Sequence, residues 1–294
     1  MTDPRAKARR LAARLPAAER PTTLRDPRRL GFFTAYFRRY FKKHMNALWV
    51  PHWGTPLLPG GAAPLVLYTN HPAWWDAATY ILAGTTFFPD RQSYAPIDAE
   101  MLEAYGFMKR IGAYGIDLES PKGAAHFLAA SADILSRDDA AIWLAAQGRF
   151  MDVRTRPIGL RAGVARLPEI APHALFVPLA MEYQFWEQRG AEAFVAFGEA
   201  ERGADLLALD REARRTHLEE RLTGVLDRLS ADVASRDPAR FESLVSGAAG
   251  VGGVYGIWKR LVAAARGERY EAAHGRRASD GKPAPGATAG DDGT

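Results

Sequence analysis

The middle of the chain alternates between two hydrophobic patterns. Short apolar runs with β-branched and aromatic residues predict buried strands, and the first of them, PLVLYTN, ends at Asn70. The stretch that follows, HPAWWDAATYILAG, has helical spacing. Later runs predict strands in AYGIDL, AAIWLA, ALFVPLAMEY and EAFVAFGEA, and a helix in AAHFLAASADILSR. This order predicts an open α/β sheet, whose chemistry gathers at the carboxyl ends of its strands.

A different pattern precedes this core, in residues 30–56. The run LGFFTAYFRRYFKKHMNALW repeats aromatic residues every three or four positions, with Arg and Lys between them. It predicts a basic amphipathic helix, whose aromatic face either packs on its own domain or lies on lipid. The members of that face are Phe33, Tyr36, Phe37, Tyr40, Phe41 and Leu48.

The other segments differ in composition from the α/β core, which we expect over residues 57–203. Residues 1–29 are rich in Arg, Ala and Pro with little apolar periodicity, which predicts a flexible basic arm. Leucine spacing over 204–270 predicts helices that pack on the core, and the Gly- and Pro-rich residues 271–294 predict a disordered tail. Charged residues interrupt every apolar stretch before about 18 residues, so we expect no transmembrane helix and no export.

The distribution of charge along the chain indicates what kind of partner the protein binds. The 294-residue chain has a net charge of +5, but residues 1–43 hold thirteen Lys or Arg against three acidic residues, so this part carries +10. Such a block favours an anionic partner, either nucleic acid or a lipid surface. Aromatic residues at helical spacing, without a recognisable nucleic-acid motif, favour an anionic membrane and argue against nucleic acid. The chain has no cysteine, which excludes disulfides, thiolate metal sites and cysteine nucleophiles.

The candidate chemistry lies in Asn70, His71 and Asp76, directly after the first predicted strand. An acid five residues after a His, one turn into the next helix, can fix the imidazole tautomer and stabilise the imidazolium. Such a pair can activate the hydroxyl of an acceptor by general-base catalysis without a protein nucleophile. The alternative from these residues alone is a capping Asp and a turn His. A metal site would need a third ligand, and no second His or HxxxE motif lies nearby.

The string NHPAWWD resembles the NHxxxxD block of the glycerolipid acyltransferases, the lysophosphatidate acyltransferase superfamily. Weaker counterparts of the other family blocks follow in order, so the resemblance covers about residues 65 to 185. The second block corresponds to IGAYGIDLES, where Leu118 stands at the place of a phosphate-binding Arg. The third corresponds to LAAQGRF, where Gln147 replaces a Glu and Arg149 comes one residue early. Matches to the later blocks are Arg161, Gly163, Val164, Val177 and Pro178.

This resemblance implies an α/β fold with a central mixed sheet flanked by helices, and an acyltransferase that needs no cofactor. His71, oriented by Asp76, would deprotonate the hydroxyl of a membrane-lipid acceptor, which attacks the thioester of an acyl-CoA or an acyl-carrier protein. Backbone N–H groups near Gly148 would hold the oxyanion. With the basic aromatic helix, we expect a peripheral protein on the cytoplasmic face of the membrane. The substrate-binding residues that the resemblance suggests are Asn70, Gln147, Gly148, Arg149, Arg154 and Arg156.

The departures from the family pattern leave the acceptor open. Without the second-block Arg it need not be glycerol 3-phosphate or lysophosphatidate, although Arg149, Arg154 and Arg156 could hold a phosphate or a polyanionic donor. A lysophospholipid-like molecule or another lipid alcohol, such as a glycosylated isoprenoid, is compatible. Two other functions stay open: an acyl-thioesterase with water as the acceptor, and a non-catalytic membrane-binding protein.

Overall fold

One mixed β-sheet runs through the part of the chain that the computed structural model describes, residues 5–247. The strands are β1 (Met45–Pro51), β2 (Leu65–Thr69), β3 (Gln92–Asp98), β4 (Ala113–Ile116), β5 (Ala140–Ala145), β6 (Leu175–Gln184), β7 (Ala191–Phe197), β8 (Glu201–Arg202) and β9 (Phe241–Ser246). The α-helices are α1 (Ala6–Ala12), α2 (Pro21–Leu24), α3 (Pro27–His44), α4 (Asp76–Phe87), α5 (Ala99–Ala104), α6 (Pro121–Leu135), α7 (Leu167–Ile170), α8 (Gly203–Leu206) and α9 (Arg211–Ser235). Short 3-10 helices lie at Ala17–Glu19, Gly106–Ile111, Val164–Arg166 and Pro238–Arg240.

The strand order across the sheet is β4-β3-β5-β2-β6-β7-β1-β9, and β8 pairs with the start of β6. The five strands from β4 to β6 are parallel. Beyond them β7 is antiparallel to β6, β1 is parallel to β7, and β9 is antiparallel to β1. The predicted α/β class, with a mixed central sheet flanked by helices, is therefore confirmed.

The central strand β2 explains why the sheet has two apolar faces. All five of its residues are buried, as expected for a parallel strand covered on both sides. Val66 and Tyr68 face one core cluster, which packs against α1, α6 and α9. Leu65 and Leu67 face the other, together with Phe41 of α3 and residues of α4. This alternation follows from the two-residue period of a strand.

The first correction concerns residues 1–29, which the composition predicts as a flexible arm. From residue 5 onward this segment is folded, because α1 packs on α6 through a stripe of small apolar side chains, Ala8, Ala12 and Leu15. Thr22 adds hydrogen bonds from its backbone N–H and its hydroxyl to Asp133, at 3.1 and 2.7 Å. The high Arg content hides this narrow stripe in the sequence.

The second correction concerns the bounds of the amphipathic segment, predicted over residues 30–56. The helix α3 begins earlier, because Asp26 accepts hydrogen bonds from the backbone N–H groups of Arg28 and Arg29 and so caps it. It ends at His44, where the chain enters β1 between β7 and β9. The sheet consequently extends beyond the predicted core of residues 57–203 at both ends.

The third correction concerns residues 204–270, predicted as helices. The long helix α9 does pack on β6 and β7, but the chain then returns as β9 and covers the open edge of β1. The tail predicted for residues 271–294, and the helical prediction beyond residue 247, lie outside the described residues. In residues 5–247 no helix combines the length and the apolar character needed to cross a bilayer.

Candidate active site

The parallel register of β2 and β5 builds the site by bringing two loops side by side. Thr69 at the end of β2 lies opposite Ala145 at the end of β5, and the Ala146 N–H donates to the Thr69 carbonyl at 2.9 Å. Two residues further on, His71 therefore lies beside Gln147. Both residues are at the carboxyl edge of the parallel strands, where the chemistry of an open α/β sheet is expected.

Asn70 fixes the chain as it leaves β2. Its side-chain amide donates to the Met181 carbonyl and accepts from the Met181 N–H, both at 2.8 Å, so it clamps β2 to β6. The residue is 2 % exposed and does not line the cavity described below. Both ends of its amide are bonded to β6, so the structure gives Asn70 a positioning role, and its contact with a substrate stays a prediction.

Gln147 has a similar positioning role. Its Oε1 accepts the backbone N–H of His71 at 2.7 Å, and its Nε2 donates to the Ile158 carbonyl at 2.8 Å. The side chain is buried and does not line the cavity, so it holds His71 in place without facing a substrate. A Glu could accept from His71 but could not donate to Ile158, which gives a physical reason for an amide at this position.

His71 and Asp76 meet as their spacing indicates. His71 Nδ1 lies 2.5 Å from Asp76 Oδ2, which leaves Nε2 available for proton transfer. Asp76 is the first residue of α4, where the helix dipole stabilises a carboxylate. Burial raises the pKa of Asp76, and hydrogen bonds from His71 and Tyr183 oppose that shift. His71 is partly exposed, so the pair joins a buried orienting acid to an accessible base.

Tyr183 is a site residue that sequence reasoning missed. Its hydroxyl donates to Asp76 Oδ1 at 2.9 Å and is 2.9 Å from the Thr79 hydroxyl, so both carboxylate oxygens of Asp76 are bonded. Tyr183 lies near the carboxyl end of β6, 107 residues from Asp76 in sequence. The one feature of the sequence that could have indicated Tyr183 is its position as a polar aromatic residue at the end of a predicted strand.

A cavity of about 720 Å³ opens beside His71 and is lined mostly by apolar side chains. It runs along α4 from Asp76 to Thr85, a helical rise of about 14 Å for nine residues. Trp143 of β5 and Phe127 of α6 also line it. The volume and the apolar walls are those of a small-molecule site, and the elongated course suits an alkyl chain.

The loop after β5 forms one side of the opening. Gly148 has φ +66°, and a Cβ there would lie 2.7 Å from Arg161 Nε, so this position favours glycine. The Gly148 N–H donates to the Ala145 carbonyl, whereas the N–H groups of Arg149 and Phe150 have no acceptor among residues 5–247. The Phe150 ring, which sequence reasoning also missed, lies 4.3 Å from the His71 ring.

The three predicted arginines separate in space. Arg149 lines the cavity, and its side chain has no hydrogen-bond or ion-pair partner in the described part of the chain. Arg154 pairs with Asp152 and projects into solvent, and Arg156 pairs with Asp227 of α9. These two do not line the cavity, because loop sequence does not fix side-chain direction, and a role for them in substrate binding stays a prediction.

Arg161 takes a place at the cavity instead. It lines the opening, donates from Nη1 to the Leu118 carbonyl at 3.1 Å, and pairs with Glu119 at 3.2 Å. The resemblance noted in the sequence compares Leu118 with a phosphate-binding Arg, and the structure places the guanidinium of Arg161 next to Leu118. In residues 5–247 no group of three or more His, Asp or Glu side chains is arranged to hold a metal ion.

Comparison of the chain with protein-family models, with curated proteins and with solved structures gives no match in any of the three. The functional assignment therefore rests on the chemistry of His71, Asp76 and the apolar cavity beside them.

Proposed function

We propose that this protein is an O-acyltransferase with a glycerolipid-acyltransferase-like fold, which moves a fatty-acyl group from a thioester to a hydroxyl of a membrane-lipid acceptor. One observation carries the proposal: an oriented His71–Asp76 pair lies at the opening of an elongated apolar cavity. A base at such an opening can reach the polar end of a molecule whose alkyl chain lies inside. No residue of the chain needs to become acylated.

The first step is deprotonation of the acceptor. Asp76 accepts a hydrogen bond from the Nδ1–H of His71, so the unprotonated Nε2 takes the proton of the acceptor hydroxyl as that oxygen attacks the thioester carbon. The new C–O bond forms and the carbonyl π electrons move to oxygen. The partly exposed imidazole can reach an acceptor at the cavity opening, while buried Asp76 stabilises the imidazolium.

The second step is collapse of the tetrahedral intermediate. The backbone N–H groups of Arg149 and Phe150, which have no acceptor within residues 5–247, are the donors proposed for the oxyanion, in place of Gly148, whose N–H is already bonded. The C–S bond then breaks, and the thiolate takes the proton from His71 Nε2. The ester leaves, and His71 is neutral again.

The substrates follow from the walls of the site. The apolar cavity accommodates the acyl chain, and the cationic Arg149 and Arg161 at its opening suit a polyanionic acyl-CoA or acyl-carrier-protein donor, or a phosphate on the acceptor. The basic and aromatic helix α3 supports an anionic membrane surface, on the cytoplasmic face, as the place of the reaction. A lysophospholipid-like molecule or another lipid alcohol fits this proposal.

The test is release of free CoA from palmitoyl-CoA with a membrane lipid extract as acceptor, and identification of the new ester by mass spectrometry. We expect His71→Ala to lower kcat by about 10²–10⁴-fold, the usual contribution of a general base. His52→Ala is the matched control, because His52 is exposed, does not line the cavity, and has its imidazole hydrogen-bonded to the Ala239 carbonyl.

Two outcomes would count against the proposal. Undiminished transfer by a folded His71→Ala protein would remove His71 as the base. His71-dependent release of free fatty acid, with no ester formed, would make water the acceptor and the protein a thioesterase.

A further inference from the structure

The exposed apolar side chains of the molecule are unevenly distributed. Ten large ones are well exposed in residues 5–247, and seven of these lie on α3, on the Asp98–Ile111 segment or beside His71. Six of the seven are aromatic: Phe32, Tyr36, Trp74, Tyr105, Phe107 and Phe150. Clustered exposed apolar surface of this kind marks an interaction site, whereas scattered single residues do not.

Five of these six rings, all except Phe150, belong to a continuous structure, which we call the aromatic belt. Neighbouring rings in it have centroids 4.9 to 6.5 Å apart, from the Asp98–Ile111 segment across α3 to the loop after His71. In order along the belt they are Tyr105, Phe107, Phe33, Tyr36, Tyr40, Trp75 and Trp74. Phe32 also belongs to the belt, because its ring centroid lies 5.5 Å from that of Phe33.

The belt lies directly outside the cavity. Leu30 and Phe37 of α3 line the cavity from one side, and Met108 and Ile111 of the 3-10 helix line it from another. Phe33 and Phe107 stack at 4.9 Å with an interplanar angle of 10°, so they join α3 to the 3-10 helix. At the other end of the belt, Trp74 is 61 % exposed and itself lines the cavity, so the belt reaches the part of the cavity next to His71.

The charges of α3, which forms the middle of the belt, favour an anionic partner. The helix α3 contains six Arg or Lys and no Asp or Glu. Arg28, Arg39 and Lys43 lie at helical spacing on the same outer face as Phe32 and Tyr36, and all five are exposed. Aromatic rings interleaved with long basic side chains are the composition of helices that lie in a bilayer interface. Phosphate headgroups would meet the basic side chains, and the rings would enter the boundary with the acyl chains.

We infer that the aromatic belt docks on an anionic bilayer and opens the cavity toward it, with the 3-10 helix Gly106–Ile111 as a second lipid-contacting element beside α3. A lipid acceptor then reaches His71 without crossing water. This inference rests on the proposed function for the identity of the substrate, but the docking itself depends only on the belt and its charges.

The test is partition of the full-length protein into sedimented vesicles of phosphatidylcholine with phosphatidylglycerol. We expect Phe32→Ala and Phe107→Ala each to weaken the partition coefficient by about tenfold, since each removes one ring from the interface. Phe185→Ala is the matched control, because Phe185 is 65 % exposed but is not part of the belt. Wild-type binding should weaken in high salt and on vesicles of phosphatidylcholine alone.

A second measurement separates docking from catalysis. His71→Ala should bind vesicles like the wild type, so a loss of catalysis in that variant leaves the docking inference standing. Phe107→Ala should lose acyl transfer to vesicle-embedded acceptor but keep transfer to acceptor dispersed in detergent. Equal vesicle binding by the Phe32, Phe107 and Phe185 variants would overturn the inference. It would also be overturned if the belt bound an acidic carrier protein and no vesicles.

Discussion

Asp76 shows how the environment of one side chain divides stability from function. It is almost fully buried, and each of its oxygens has a hydrogen-bond donor, one from His71 and one from Tyr183. Burial nevertheless raises the pKa of Asp76 above its ordinary value. The ionised form is therefore less favourable in the fold than in the unfolded chain, although the proposed mechanism needs it.

We predict opposite effects on activity and stability when Asp76 becomes Asn. The Asn amide would donate to His71 Nδ1 and place the remaining imidazole proton on Nε2, so kcat should fall on the order of 10⁴-fold, the effect of such a tautomer change in a related triad. Stability should be unchanged or greater at neutral pH. Kinetics and urea unfolding of both proteins measure the two effects.

The difference in the free energy of unfolding between Asp76→Asn and the wild type should change with pH in a defined direction. As the pH rises past the ordinary carboxyl value, the unfolded chain ionises first, and the free energy of unfolding of the wild type falls until Asp76 ionises in the fold as well. The free energy of unfolding of Asp76→Asn should therefore rise relative to the wild type as the pH increases from acidic to neutral. A variant that becomes relatively less stable over this range would contradict the raised pKa.

At the scale of elements, α3 has two faces with different roles. Phe41 is fully buried and packs in the cluster with Leu65 and Leu67 of β2, while Phe32 on the outer face is 69 % exposed. The sequence places both in one aromatic pattern and leaves open whether the helix packs on its own domain or lies on lipid. The structure assigns the first role to the inner face, and the second role for the outer face is our proposal.

We predict that the two faces respond differently to truncation. Phe41→Ala should lower the free energy of unfolding by about 3–5 kcal/mol, because it opens a cavity in the core. Phe32→Ala should change it by no more than about 0.5 kcal/mol, as expected for a surface substitution. Chemical denaturation of the two variants measures the difference, and equal losses would mean that Phe32 has packing contacts beyond those seen.

At the scale of the whole molecule, the cavity exists only because separate elements surround it. Its walls come from α3, α4, β3, β4, β5, α6 and the segments between them, which are far apart in sequence. The end near Thr85 lies about 14 Å along α4 from Asp76, so under the proposed function side chains there bound the space for an acyl chain.

We predict that Thr85→Phe shifts the preference of the enzyme toward shorter acyl chains, because the larger ring fills the far end of the cavity. Thr86→Phe is the matched control: the neighbouring residue has the same side chain but is exposed and does not line the cavity. Competition between acyl-CoA donors of different chain lengths measures the preference. The same profile in both variants would show that the acyl chain does not extend along α4.

The sequence by itself determined the features that depend on neighbours along the chain. The apolar runs around β2, β5, β6 and β7 predict strands because burial on both faces leaves a continuous apolar signal. His71 and Asp76 could be paired because a strand end and the first turn of the next helix have a fixed geometry over five residues. Both features depend only on residues that are close together in sequence.

Only the tertiary structure decided which distant residues join them. The Tyr183 hydroxyl donates to Asp76, and the Met181 backbone is hydrogen-bonded to the Asn70 side-chain amide, because β6 lies beside β2 in one particular register. The direction of Arg149 and Arg156, the packing of α1 on α6, and the meeting of Phe33 with Phe107 likewise depend on non-local contacts. The hydrophobic effect stabilises such contacts but is non-directional. Which residues contact each other is therefore fixed by the packed fold and not by any pattern along the chain.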